Sequence, residues 1–189
     1  VETSRLRAVR EAAEDVAEHA YRQYQLIVET AEEGIWLLDA NANTSFVNQK
    51  MAAMLGYEPA EMIGRSLFDF MDDKGRAIAR VHVDRLREGV RGQPELMLSR
   101  RNGSELWTHM ASNPVTAPDG SYAGALAMVS DITEQRRTQK ELERLALHDA
   151  LTGLPNRVLF TDRLEQAMRS ARRRRQGLSV MVFDLNRFK

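Results

Sequence analysis

The chain has 189 residues, with 27 basic and 27 acidic side chains, four histidines and no cysteine, and 43% of it is hydrophobic. This is the composition of a folded soluble chain, and the balanced charge supplies no bulk field to hold nucleic acid or an anionic membrane. Without cysteine there are no disulfides, thiolate nucleophiles, cysteine-held zinc or iron–sulfur centres and no cysteinyl photochemistry, which suits a reducing, cytoplasmic compartment. The longest apolar runs are about five residues, against the ~20 that a membrane span needs. No basic-then-apolar signal peptide opens the chain. A first residue of Val1 and an end at Lys189, just after an apolar run, are expected of a piece of a longer protein.

Leu6, Val9, Ala13, Val16, Ala20, Tyr24 and Ile27 follow one another at steps of three and four, the stripe of an amphipathic helix. No Pro or Gly precedes Gly34, so one long helix is expected over residues 1–30. Its near-heptad spacing suits a coiled-coil arm, with an Ala-rich seam that packs weakly; a helix laid on its own domain is the alternative. From Gly34 the texture changes. Ile35 to Leu38 and Thr44 to Val47 read as a hairpin around the Asp39 to Asn43 turn cluster. Asn48 then precedes a short helix, Gln49 to Leu55, stopped by Gly56, and Pro59 opens another stopped by Gly64. Asp72 or Asp73 can cap a longer helix reaching Glu88, with Ile78, Val81, Arg85 and Leu86 on related faces. Glu95 to Arg100, Glu105 to Val115 and Tyr122 to Ser130, separated by turns at Arg101 to Ser104 and Ala117 to Gly120, read as an antiparallel meander.

In their order, Glu33 to Asp39, Phe46 to Asn48, Leu55 to Tyr57, Gly64 to Leu67, Asn102 to Ser104 and Asp131 to Thr133 resemble the recurring segments of the PAS sensory family. The resemblance implies an α+β fold over residues 25–133. A five-stranded antiparallel sheet, with short helices on one face, would enclose a small-molecule pocket there. It also makes Asp131, Ile132 and Thr133 a signalling hinge. Residues 1–24 would then be a helical arm and residues 134–147, polar with Leu142 and Leu145 as the main apolar side chains, a connecting helix that Asp131 or Thr133 can cap.

The last segment begins a second pattern. His148 to Arg157 leads into an amphipathic helix from Val158 to about Arg175, then Gly177 and an apolar strand expected from Leu178 to Phe183, ending at Asp184. Asp149 to Arg157 and Phe183 to Lys189 resemble the opening of a diguanylate cyclase (GGDEF) domain, placed over residues 148–189. A carboxylate at the end of a buried strand is where α/β sheets build ligand sites, and Mg²⁺ takes oxygen ligands. By resemblance, Asp184 and the Leu185 carbonyl would hold metal, with the Arg187 and Phe188 amides and the Lys189 side chain near the phosphates of GTP. The family joins two GTP into cyclic di-GMP, a phosphoryl transfer suited to two metals. The signature loop that names the family is absent from these 189 residues, so no complete catalytic set is present and this piece alone is expected to be inactive. Asn186 stands where the family often has Asp. Residues 178–183, short of sheet partners, are expected to be loosely held, and Arg172 to Arg175 read as a solvated helix end favoured by the macrodipole.

Residues 25–133 hold no nucleophile–base constellation and should bind rather than react. Apolar character and position nominate Trp36, Met51, Met54, Leu55, Met62, Ile63, Leu67, Phe68, Ile78, Val81, Trp107, Met110 and Met128 as pocket walls, with core packing as the alternative for each. Trp107 and Met110 differ in strand parity, so without a bulge one of them points outward. Haem is disfavoured because Ala79 stands where the ligating histidine is expected and His82 lies one turn on. Non-covalent flavin would need Trp36 or Trp107 as a stacking partner. Together these features describe a homodimeric sensor that controls a cyclase through its connecting helix. The rivals are a regulator of a cyclic di-GMP phosphodiesterase with a degenerate cyclase domain, and a ligand-free dimerisation module.

Overall fold

The computed structural model describes residues 2–183, with side chains from residue 16 onward. It divides into two compact units, residues 1–134 and 135–189. In the first, helix α1 (Glu2–Thr30) leads to the hairpin β1 (Gly34–Asp39) and β2 (Thr44–Val47). Two short helices, α2 (Gln49–Leu55) and α3 (Pro59–Met62), a 3₁₀ turn at Leu67–Phe70 and the longer α4 (Asp73–Arg87) follow. Three strands complete the unit: β3 (Glu95–Ser99), β4 (Glu105–Thr116) and β5 (Tyr122–Asp131). They form one antiparallel sheet in the order β2-β1-β5-β4-β3, so the hairpin pairs with the last strand rather than the next one.

Local chemistry sets each boundary. Asp39 Oδ1 accepts from the Asn41 and Asn43 amides, both at 2.8 Å, which folds the β1–β2 turn on itself. Asn48 caps α2 by accepting from the Met51 amide, and Gly56, left-handed at φ 78°, closes its other end. A capping box between Glu58 and Glu61 opens α3 behind Pro59, and Ser66 caps the 3₁₀ turn. Of the two candidate caps for α4 the structure uses Asp72, whose Oδ1 accepts from the Gly75 amide at 2.8 Å.

In the second unit the remainder of α5 (Thr133–Leu147) is followed by a tight loop and α6 (Arg157–Arg174), which ends at left-handed Arg175. The expected strand at 178–183 is not formed. Those residues pair with nothing among the described residues, and Met181, Val182 and Phe183 are exposed. An apolar run needs a neighbouring strand to take its amide and carbonyl groups, whatever its side chains favour.

Among the glycines, Gly124 carries the closest approach to a neighbour. At φ 151° it lies against β1, where a Cβ would sit 2.0 Å from the Leu38 carbonyl oxygen. Gly124→Ala is expected to lower stability by roughly 2–4 kcal/mol through backbone displacement and strain. Urea unfolding checks this, and an unchanged midpoint would contradict the packing described. In hydrogen exchange, amides 179–183 should exchange near the unfolded rate while those of β4 and β5 stay protected.

Candidate functional site

The interior between sheet and helices is filled by side chains. Trp36 on β1 is fully buried, meets Phe70 edge-on at 5.4 Å between ring centroids, and donates from Nε1 to Thr44 Oγ1 at 3.0 Å. Tyr57 meets the same Phe70 edge-on at 5.5 Å, and the Arg65 guanidinium lies 4.5 Å from the Phe70 ring centroid. Met51, Met54 and Leu55 of α2, Met62 of α3, Leu67, and Met110 of β4 join this cluster, with Phe68 half-buried against it.

Five of the nominated wall residues lie elsewhere, four of them exposed and Trp107 on the opposite face of its strand. Ile63, Ile78, Val81 and Met128 are 43 to 64% exposed. Ile63 follows the last turn of α3 and leaves the inward position to Met62. The buried face of α4 is Gly75, Ala79, Val83 and Leu86, so Ile78 and Val81 fall beside it; small residues at 75 and 79 let the helix lie close, with Gly75 against the Met97 carbonyl. On β5, Ala127 and Val129 point inward, which turns Met128 outward by strand parity. Parity also decides β4. Leu106, Thr108, Met110 and Ser112 are buried, while Trp107 is only half-buried and lies on the other face. Ala79 is buried in the core and His82 is half-buried at its edge.

The nominated hinge is held by a hydrogen-bonded joint. The Asp131 carboxylate accepts from the Thr133 amide at 2.8 Å, and Thr133 Oγ1 accepts from the Trp107 amide at 3.0 Å. The Ile132 amide donates to the Trp107 carbonyl at 2.9 Å, so β5 and the start of α5 are both tied to β4. Arg100, which composition and spacing did not single out, completes the joint. Its Nη2 lies 3.0 Å from Asp131 Oδ2 while its Nη1 donates to the Met54 carbonyl at the end of α2. Burial opposes ionisation of Asp131, but the Thr133 side chain and amide and the Arg100 guanidinium outweigh it and hold its carboxyl below the ordinary value. An open cleft of about 420 Å³ lies beside this joint, lined by Ala53, Leu55, Gly56, Arg100, Arg101 and Asn102. Arg101 is already engaged there, with Nη1 at 2.9 and 2.8 Å from the two Glu61 carboxylate oxygens.

The second unit has its own ordered turn. Asp149 Oδ1 accepts from the Leu151 and Thr152 amides and the Thr152 hydroxyl, and the Thr152 amide is the first cause of its lowered pKa. Asn156 caps α6 through the Val158 and Leu159 amides and donates from Nδ2 to the Ala146 carbonyl of α5 at 2.8 Å. Asp184, Leu185, Arg187, Phe188 and Lys189, the nominated metal and nucleotide residues, lie outside the described residues, as does Asn186. Among the described residues no cluster of three or more His, Asp or Glu could hold a metal ion, and no helix is long and apolar enough to cross a membrane.

Comparison with known proteins agrees with this architecture. The PAS fold family matches residues 22–132, and the diguanylate cyclase GGDEF domain matches residues 146–189. A probable diguanylate cyclase DgcE of Escherichia coli (strain K12) is 26% identical over 169 residues, covering 87% of this chain and 15% of the relative. The cyclic di-GMP phosphodiesterase PdeR of the same organism is 28% identical over 173 residues, covering 90% of this chain and 26% of the relative. The chain therefore spans about a quarter or less of the length of these relatives. Among solved structures, the PAS domain of an HTR-like protein from Haloarcula marismortui superposes with a TM-score of 0.56 at 25% identity, over 65% of this chain and 99% of that one. Sheet order, helical layer and sequence together place the chain in the PAS family, with the match to a GGDEF domain beginning in the last turn of α5.

Proposed function

We propose that this chain is the sensing and transmitting part of a cyclic di-GMP signalling protein, in which the PAS unit controls a diguanylate cyclase through α5. The observation that carries this reading is the joint at Asp131 to Thr133. One carboxylate there takes the first amide of α5 and the Arg100 guanidinium together, and Arg100 reaches back to α2 beneath the sheet. A change in packing around Met54 and Leu55 thereby reaches the first turn of the connecting helix through two side chains. Control requires the sensor's input to favour one arrangement of that helix over another. The exposed apolar residues Val16, Tyr24 and Ile27 on α1, and Leu142 and Leu145 on α5, support helical arms that pair in a homodimer.

In the longer protein, the Asp184 carboxylate and Leu185 carbonyl would hold Mg²⁺, a donor set of the oxygen type this ion prefers. The Arg187 and Phe188 amides and the Lys189 side chain would lie along the GTP phosphates. Bound metal there would neutralise developing charge as the 3′-hydroxyl of one GTP attacks the other. The filled interior around Trp36 and Phe70 favours a second reading for the sensor itself, in which it works by partner contact or by a signal that needs no internal cavity.

Thr133→Pro removes the amide that Asp131 holds and the hydroxyl that takes the Trp107 amide. In the longer protein with its whole cyclase domain, it is expected to abolish the response of cyclic di-GMP synthesis to the sensor while leaving synthesis itself measurable; unchanged regulation would sink the hinge. Asp131→Asn weakens the same joint. Because the pair is partly exposed, a loss of about 1 kcal/mol or less is expected at neutral pH by thermal unfolding. The wild-type contribution is present above the ordinary carboxyl value near 3.8 and is lost as pH falls through the lower folded value, so wild type and Asp131→Asn should converge in acid.

A further inference from the structure

Thr44, Asn48 and Thr108, buried in the sensor unit, all have hydrogen-bond partners. His82 is different. It stands on α4 half-buried, and its Nε2 is shut away from solvent with no hydrogen-bond partner among the described residues. The ring packs against Gly92 so closely that a Cβ there would lie 2.3 Å from Cε1 and 2.8 Å from Nδ1. From its other side Gly92 is pinned to β4: its amide donates to the Ser112 carbonyl at 3.2 Å, and its carbonyl accepts from the Ser112 amide at 2.9 Å. The imidazole thus presses the crossover from α4 to β3, residues 89–94, onto the sheet. Only glycine leaves room for this contact.

We infer that His82 is a proton-sensitive latch: neutral, its ring packs on Gly92 and holds the crossover closed; charged, it leaves that contact and frees the crossover. Few charges bear on the ring. On α4 the one that acts on it is Arg85, like in sign to a protonated imidazole, while Asp84 is engaged by Arg87. The crossover presents Gly92, with Arg91 exposed beside it, and β4 presents Ser112, so neither Gly92 nor Ser112 offers a titrating group to compensate. Burial first, and Arg85 second, hold the histidine below its ordinary pKa in the closed form. In the open form the ring is solvated and titrates near the ordinary 6.5.

The sign follows. Above about pH 6.5 the closed form keeps its full stability; as pH falls from there toward the lower closed-state value, the opening equilibrium grows by up to about tenfold per pH unit for one linked proton. A proton needs no cavity, so this input is compatible with the packed interior. It would act at the edge of β4, the strand whose Trp107 end carries the hinge contacts.

The test is an NMR titration of the full chain from about pH 7.5 to about pH 5, following the His82 ring and the exchange protection of the Gly92 and Ser112 amides. His82 is expected to titrate below 6.5, with the Ser112 and Gly92 protection factors falling together over that interval. Titration at or above 6.5 with unchanged protection overturns the latch. Gly92→Ala should push the ring aside, leaving Ser112 weakly protected at every pH; retention of the wild-type pH response in that variant also overturns it. Should Gly92→Ala fail to fold, the wild-type titration decides alone.

Discussion

The carboxamide of Asn48 is the interaction on which the placement of the sensor's first elements depends. It is fully buried, and each of its hydrogen-bonding positions is used. Oδ1 accepts from the Ile35 amide at 2.9 Å and the Met51 amide at 3.0 Å; Nδ2 donates to the Val28 carbonyl at 3.0 Å and the Glu33 carbonyl at 3.1 Å. One side chain therefore joins the end of α1, the start of β1 and the start of α2. That junction brings Met51 under Gly34, where a Cβ would sit 2.7 Å from the Met51 sulfur and 3.2 Å from the Met51 Cα, so the short helix lies close against the sheet because position 34 carries no side chain. A shorter apolar side chain at position 48 would leave buried backbone donors and acceptors unpaired at once, a larger penalty than the loss of any single cap.

Strength of attachment then distinguishes the interior from the joint that leads out of it. Interior contacts are apolar, fully desolvated and close-packed, so the aromatic cluster around Phe70 resists small displacements. The Arg100–Asp131 pair is partly exposed, and a pair of that kind contributes about 1 kcal/mol or less. Coupling between sites in proteins is of the order of 1–3 kcal/mol, the same scale. A joint made from one such pair and a few amide hydrogen bonds is thus strong enough to orient the first turn of α5. It is also weak enough to be rearranged by the coupling energy that the proposed control requires.

Much of this was legible from residues that act locally. Asp39, Asn48, Gly56, Pro59 and Asp72 mark turns and caps whose partners lie within a few positions, and they located the strands and helices within about two residues. Sidedness was harder. Apolar character points to Met128 and Val81, but the faces of β5 and α4 are set by what packs opposite. Gly75 and Ala79 mark the inner face of α4 by their smallness rather than their hydrophobicity. Counting in twos from Met110 would have found Leu106 and Thr108. Arg100 could not be found that way, since its partners Met54 and Asp131 lie 46 and 31 residues away and meet it only once the sheet closes. The run at 178–183 shows the converse, a segment with strand character and no strand partner.

Where the elements touch also bears on the proposed sensing. The polar groups facing the core are turned to structural use: Trp36 to Thr44, and Thr108 Oγ1 to the Leu96 carbonyl at 2.9 Å. A ligand entering this space would have to displace aromatic packing and offer hydrogen bonds that the walls no longer need. The periphery is built differently. At Gly75, Gly92 and Gly124 a helix, a crossover and a strand approach their neighbours with no side chain of their own in the gap, against Asp72, Met71 and the Met97 carbonyl, the His82 ring and the β1 backbone respectively, so a shift of a few tenths of an ångström there changes a contact outright. Of these places, Gly92 is the one faced by an ionisable ring, and it sits on β4, the strand that also holds Thr133. Input at the rim of β4 and output at its other end would require only that one strand transmit the change, leaving the aromatic interior as the fixed support on which it moves.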